Sequence, residues 1–276
     1  TYFTQPPSTL DYSRATSVSS MFSQCYYLTS TGNLTLTECV TASGMFNSCN
    51  NLANVGNISA PIATTCSSFF GSCERALVTV AGTLSFPNCT DFSAMFYNCY
   101  LLNHIPAIDT TVATAFNAMF YGARAITVYN NNYDLSSATA LQYMFYGCNE
   151  LTSVTISDTF TTTDTGSSVI NIAGMFATSL KLTDVVFADA SKFITSTANN
   201  TFGSNTQVTN LVYLGFRTIM ELPPLITDVA KIEAYINSAG TPRFGSNRII
   251  QIGATRKASI SQTVIANAVA KGWTVT

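Results

Sequence analysis

One phrase returns along most of this chain. Met-Phe-x-x-Cys-x-x-Leu appears as MFSQCYYL from Met21, MFNSCNNL from Met45, FFGSCERA from Phe69 and MFYNCYLL from Met95. It continues as MFYGARAI from Met119, MFYGCNEL from Met144, MFATSLKL from Met175 and a worn TFGSNTQV from Thr201. The repeated Phe stands at Phe22, Phe46, Phe70, Phe96, Phe120, Phe145, Phe176 and Phe202, at intervals of 24 to 31 residues. A period in this range marks one supersecondary unit per repeat, and such a unit cannot bury its apolar face alone. Stacking the units makes a continuous core, so the repeat dictates a solenoid.

With that Phe as position 0, the inward positions can be read off. Position −7 holds Ala15, Cys39, Ala63, Cys89, Ala113, Ala138, Val169 and Thr195, and position −4 holds Val18, Ala42, Cys66, Phe92, Phe116, Leu141, Ile172 and Ala198. Position +3 holds Cys25, Cys49, Cys73, Cys99, Ala123, Cys148, Ser179 and Asn205, and position +6 holds Leu28, Leu52, Ala76, Leu102, Ile126, Leu151, Leu182 and Val208. Apolar spacing of three to four up to the Phe suits a short helical turn with one face inward. The apolar run that follows, as in Leu151-x-x-Val154-x-Ile156 or Leu182-x-x-Val185-x-Phe187, suits one short strand. The expected fold is a leucine-rich-repeat-like solenoid of about eight rungs of roughly 25 residues, each a strand plus a helical turn, over residues 1–214. At ~4.8 Å per rung the rod would be on the order of 40 Å long. Residues 158–168 read as a loop inserted on one side.

The solenoid accounts for an unusual composition. Only 9% of the 276 residues are charged, against about 25% in an ordinary soluble domain. In their place stand 69 Ser plus Thr and 22 Asn. Stacked rungs repeat their outward positions, so like charges would face each other and repel. Hydroxyl and amide side chains avoid that cost and can hydrogen-bond along the ladder. The net charge of −2 argues against nucleic-acid binding, which needs clustered Lys and Arg. No apolar run approaches the ~18 residues of a membrane span.

The repeat stops near residue 215, where Pro223-Pro224 breaks the pattern. Residues 215–276 read as an α/β cap: a helix over 227–238, a strand over 248–252, a helix over 260–271 and a last strand at Trp273–Val275. Residues 1–210 carry 11 acids and 5 bases, whereas residues 211–276 carry 3 acids and 7 bases. Arg243, Arg248, Arg256 and Lys257 of the basic cap are therefore candidates for docking a partner, beside the plainer reading of a solvated face. At the other end the first rung starts in mid-unit: either an N-terminal cap begins here or an upstream segment has been removed. Thr1 in place of Met fits a processed chain or part of a longer one.

The MFxxCxxL phrase, with its following strand and Asp/Thr/Ser-rich connection, resembles the BspA-like group of bacterial leucine-rich repeats, in the variant found on mycoplasma-type lipoproteins and on surface proteins. The similarity covers residues 10–212. The closing Ala-Lys-Gly-Trp-Thr-Val at 270–275 is similar to the unit that ends such repeats in phage and gut-bacterial proteins. The resemblance implies a surface-exposed protein of adhesion or host attachment, and it carries no catalytic residue.

Two ladders stand out as candidate sites. Cys25, Cys49, Cys73 and Cys99 would stand parallel on successive rungs, with Cys148 at the same position beyond Ala123, a geometry poorly suited to disulfides. They are expected to be reduced thiols packed as small hydrophobes with the Phe ladder, in a protein assembled in a reducing cytosol. With one His (His104) and no CxxC pair, neither metal nor cofactor is expected. Position +1 holds Tyr97, Tyr121 and Tyr146 on successive rungs, with Tyr100, Tyr129, Tyr133 and Tyr143 close in sequence. Tyr97, Tyr121, Tyr146, Tyr100 and Tyr143 form the candidate ligand-binding set, because amphipathic aromatics are enriched on recognition faces. The plainer reading is a stack that stabilises the rod. Asp109, Asp134, Asp158 and Asp164 could in principle pair as catalytic carboxylates, though nothing in the repeat sets two of them at a working distance. Asp11 and Asp109 fit turn caps better.

The functional expectation is a non-enzymatic structural and recognition protein on a virion surface, as a phage fibre, tail or capsid-decorating component. It would bind host-surface glycan or protein and other virion subunits, as a homo-oligomer. A bacterial cell-surface adhesin is the second reading, and a polysaccharide-degrading solenoid enzyme the third.

Overall fold

The structure, a computed structural model, describes residues 3–161, 170–194, 201–203, 207–213, 220–221, 226, 228–239, 249–252 and 254–276. The chain winds into a solenoid whose rungs stack in parallel, six full turns between Phe22 and Phe176. Every described strand pairing is parallel. Strands β1 (Leu34–Thr35), β2 (Ile58–Ser59) and β3 (Leu84–Ser85) form one short sheet. β4 (Val128–Asn130), β5 (Ser153–Ile156), β7 (Asp184–Phe187) and β9 (Asn210–Tyr213) form a longer one, and β6 (Ile170–Asn171) pairs with β8 (Phe193–Ile194). The expected strands at Val154–Ile156 and Val185–Phe187 lie in β5 and β7. No strand is assigned between β3 and β4, where Pro106 removes a backbone donor.

The segment around each Phe is where the winding is decided. Its apolar spacing suggested a helical turn; the chain instead makes a succession of tight turns. Positions −1, +1 and +3 donate their N–H three residues back, as in Met45 to Ala42, Asn47 to Gly44 and Cys49 to Phe46. Positions −4, −2, 0 and +2 donate to the next rung, as in Val18 to Thr41, Ser20 to Ser43, Phe22 to Met45 and Gln24 to Asn47. This alternation satisfies the backbone in both directions. It requires a left-handed residue at −2 and +2 in each of the first seven rungs, from Ser20 (φ 56°) and Gln24 (φ 59°) to Gly174 (φ 60°) and Thr178 (φ 60°). Turns with φ > 0 at their third residue favour Gly, yet Gly fills only four of these fourteen sites: Gly44, Gly122, Gly147 and Gly174. The inter-rung ladder holds the others in place.

Inside, the Phe rings stack face to face. Centroids are 5.6–6.0 Å apart from Phe22 to Phe202, with interplanar angles of 4–25°. Among the described residues positions −7, −4 and +3 are buried from the second rung on, whereas Ala15 and Cys25 of the first rung are partly buried. Position +6 needs one correction. In the third rung Leu77, not Ala76, is fully buried, because one extra residue enters there within the 26-residue interval from Phe70 to Phe96.

Outside, hydroxyls bond from rung to rung as the composition suggested. Thr41 Oγ1 donates to Ser17 Oγ (2.9 Å), Ser67 Oγ to Ser43 Oγ (3.0 Å), and Thr152 and Thr183 each to the preceding Thr carbonyl (3.0 and 3.2 Å). The one salt bridge among the described residues, Lys181 to Glu150 at 2.6 Å, sets opposite charges on neighbouring rungs.

The C-terminal region holds β10 (Met220–Glu221), α1 (Val229–Ser238), β11 (Ile249–Gln251), α2 (Ala254–Lys257), α3 (Gln262–Ala270) and β12 (Thr274–Val275). Asp228 caps α1 through the Lys231 N–H. α1 packs against β9, the last described solenoid strand, and on α3. Ile232, Tyr235 and Ile236 are its buried face. The inserted loop falls largely on residues 162–168, outside the described residues, as do Val169, Thr195, Ala198 and Asn205 of the repeat.

Candidate functional site

The outward face of the fourth to sixth rungs carries the aromatic ladder. Tyr97 stacks on Tyr121 with centroids 4.7 Å apart at 20°, and Tyr121 on Tyr146 at 4.5 Å and 6°. All three are half-buried. They align because position +1 points outward and the rungs are in register, the same reason Ser23, Asn47 and Gly71 occupy this line in earlier rungs. Burial and the neighbouring phenols Tyr146 and Tyr97 raise the Tyr121 hydroxyl above its ordinary pKa. Tyr143, at position −2 of the sixth rung, stands at 68° to Tyr146 with centroids 6.1 Å apart. Its ring lies where a side chain on Gly174 would otherwise sit. Tyr100 carries the Arg124 guanidinium 4.2 Å above its ring, a cation–π contact.

This geometry decides what the ladder can offer. Both faces of Tyr121 and one face each of Tyr97 and Tyr146 are spent on one another, so along the ladder a ligand meets mainly ring edges and phenol hydroxyls. Tyr129 and Tyr133, close in sequence, are no part of the face: both are buried. Tyr133 donates to the Pro106 carbonyl at 2.9 Å, and Tyr129 packs 5.0 Å from Phe145.

The Cys ladder has a bonding role that the sequence reading missed. Cys49, Cys73, Cys99 and Cys148 each donate a thiol hydrogen bond to the Phe carbonyl of the preceding rung, at 3.0, 3.3, 3.1 and 3.1 Å. Ser179 makes the same bond to Phe145 at 2.6 Å. The Cys-to-Ser exchange at Ser179 was the available signal, since both residues carry a donor, while Ala123 of the fifth rung fills the same buried position without one. Burial pushes the Cys49 and Cys99 thiols up to about 12, which keeps them protonated and able to donate. All eight Cys are free. Ellman's reagent in denaturant should therefore count eight thiols, and fewer would show that a disulfide forms.

Five of the other candidates make structural hydrogen bonds. Asp11, Asp109 and Asp134 each accept the N–H two residues on, from Ser13, Thr111 and Ser136 at 2.9, 3.1 and 2.9 Å. Asp158 is partly buried, and its carboxyl is raised by that burial; Asp164 lies outside the described residues. His104 is exposed. Arg256 donates to the Ile226 carbonyl (3.3 Å) and Lys257 to the Val275 carbonyl (2.6 Å), so both tie the cap together. Arg243 and Arg248 lie outside the described residues. Among the described residues no three His, Cys, Asp or Glu are grouped to hold a metal ion, and no helix is long and apolar enough to cross a membrane.

A family model described as "Mycoplasma protein of unknown function, DUF285" matches residues 1–59 and 64–187. No curated protein and no solved structure matches the chain.

Proposed function

We propose that this chain, which belongs to the DUF285 family, is a non-enzymatic recognition rod displayed on a particle surface, with the Tyr97–Tyr121–Tyr146 ladder as its contact line. The observation that carries this reading is the half-exposed, face-to-face Tyr stack on a rigid solenoid. Stacking fixes the side chains before any ligand arrives, so little conformational entropy remains to be lost on binding. Ring edges and a row of hydroxyls suit a hydroxyl-rich chain such as a host-surface glycan, and many copies would raise the avidity. Eight free thiols support assembly in a reducing cytosol, as for a phage virion component such as a fibre, tail or capsid decoration. Partner subunits in a symmetric homo-oligomer belong to the same reading. A bacterial cell-surface adhesin is the second reading, favoured by the resemblance to BspA-like repeats.

The test replaces Tyr97, Tyr121 and Tyr146 together with Ser, which the first rung already carries at this position as Ser23. Binding to host cells or isolated host glycan should fall at least tenfold, while circular dichroism stays that of the parent. Unchanged binding with an intact fold would sink the proposal.

A further inference from the structure

Two thiols outside the +3 ladder meet across a rung boundary, and we propose that Cys66 and Cys89 form an oxidative cross-linking site, closed to a disulfide by hydrogen peroxide. The +3 thiols occupy equivalent positions and stand parallel. Cys66 and Cys89 do not: Cys66 is at −4 of the third rung and Cys89 at −7 of the fourth.

The backbone brings these two positions together. The Asp91 carbonyl accepts the Cys66 N–H at 2.9 Å and the Cys89 thiol at 3.3 Å. Two rungs earlier the Thr41 carbonyl accepts the Val18 N–H at 3.0 Å and the Cys39 thiol at 3.3 Å. A side chain at −7 therefore lies against the −4 residue of the rung before. The same rule pairs Val18 with Cys39, Ala42 with Ala63, Phe92 with Ala113 and Phe116 with Ala138. Along the described rungs, Cys66 and Cys89 are the pair that sets sulfur against sulfur.

The two thiols are unequal. A hydrogen bond from the Cys66 thiol holds Cys89 below its ordinary pKa, while that bond and burial push Cys66 up. Cys89 is thus the nucleophile, since the thiolate is the reactive form. It is buried, but in a turn between the exposed Asn88 and Thr90, one residue beneath solvent and in reach of a water-sized oxidant. The Cys89 sulfur takes one oxygen of the peroxide: an S–O bond forms, the O–O bond breaks, and the hydroxide that leaves takes up the Cys89 proton as water. The Cys66 sulfur then displaces the new hydroxyl, which departs with the Cys66 proton as a second water while the S–S bond forms. Two thiols and one peroxide become one disulfide and two waters. The link ties the third rung to the fourth, and a rod assembled with free thiols gains it on leaving a reducing compartment.

The test starts from a Cys25→Ala protein, which lacks the one thiol that is partly exposed. Hydrogen peroxide should lower its thiol count in denaturant from seven to five, and peptide mapping should join Cys66 to Cys89. Ala42 and Ala63 already fill the matching positions one rung earlier, so Cys66→Ala and Cys89→Ala introduce side chains that this packing accepts. With dimedone present, Cys66→Ala should carry the sulfenic-acid adduct on Cys89. Cys89→Ala should carry at least tenfold less on Cys66. Seven thiols after peroxide overturn the proposal, as does a mapped link from Cys66 to Cys39. Equal adducts in the two variants overturn the choice of Cys89 as the attacking sulfur.

Discussion

Phe120→Ala is expected to cost about 3–5 kcal/mol of stability. Phe120 is 0% exposed and stacks on Phe96 at 5.7 Å, on Phe145 at 5.8 Å and on Tyr133 at 6.1 Å. Its loss leaves a ring-sized cavity and removes stacked contacts on both sides, each worth roughly 0.5–1.5 kcal/mol beyond burial. Stability in a solenoid is close to a sum of rung terms and nearest-neighbour interface terms. The damage therefore falls on the two interfaces that meet at this rung. Denaturant unfolding should shift to a lower midpoint and separate into two phases as the rungs before and after Phe120 uncouple. Phe22→Ala is the control, because among the described residues Phe22 has one stacked ladder neighbour, Phe46 at 5.6 Å, and ring edges on its other side. If Phe22→Ala costs as much as Phe120→Ala, the stacked column is not what holds the middle of the rod.

The second large effect is expected at Gly82. A Cβ there would be driven into the carbonyl of Gly56, and one on Gly56 into the carbonyl of Gly32. Backbone meets backbone, so no flexible side chain can yield. The Gly82 N–H is also committed to the Val55 carbonyl at 2.9 Å, and any displacement breaks that bond. Gly82→Ala should cost about 3 kcal/mol, the upper end of ordinary overpacking, read as a drop in the unfolding midpoint. Gly147→Ala separates space from conformation. Gly147 has φ +67°, but a Cβ there meets nothing closer than 3.5 Å, so its cost should be about 1–2 kcal/mol of left-handed strain. Equal costs at the two sites would refute the close-approach explanation.

The repeat made the solenoid legible before any coordinates, because identical apolar positions at a fixed interval have one economical burial. The Phe and Cys ladders followed directly. What was hidden lay in the backbone. Apolar spacing of four and three fits a helical turn and a tight-turn run equally well. Gly, the residue that would have betrayed φ > 0, is absent from most −2 and +2 sites, where residues such as Ala94, Ala118 and Thr178 are held left-handed by inter-rung bonds. The Gly32–Gly56–Gly82 column was visible in principle, since its intervals of 24 and 26 recur among the Phe intervals. Leu77 escaped because a single inserted residue moves the inward position by one without disturbing the pattern on either side. For the Tyr ladder, sequence gave the alignment of Tyr97, Tyr121 and Tyr146. Burial of Tyr129 and Tyr133 depends on how β4 and the residues after it turn inward, which spacing alone does not encode.

The alternating donors have a final consequence. Each interior rung hands four N–H groups forward and receives four from behind, so neighbouring modules are interchangeable couplers with one polarity. Splicing a whole module in or out joins like couplings and leaves the chemistry of every remaining joint unchanged. Reach, measured in steps of one strand spacing of about 4.8 Å, is thus a quantity a gene of this kind can adjust by duplication or deletion without redesigning the terminal module.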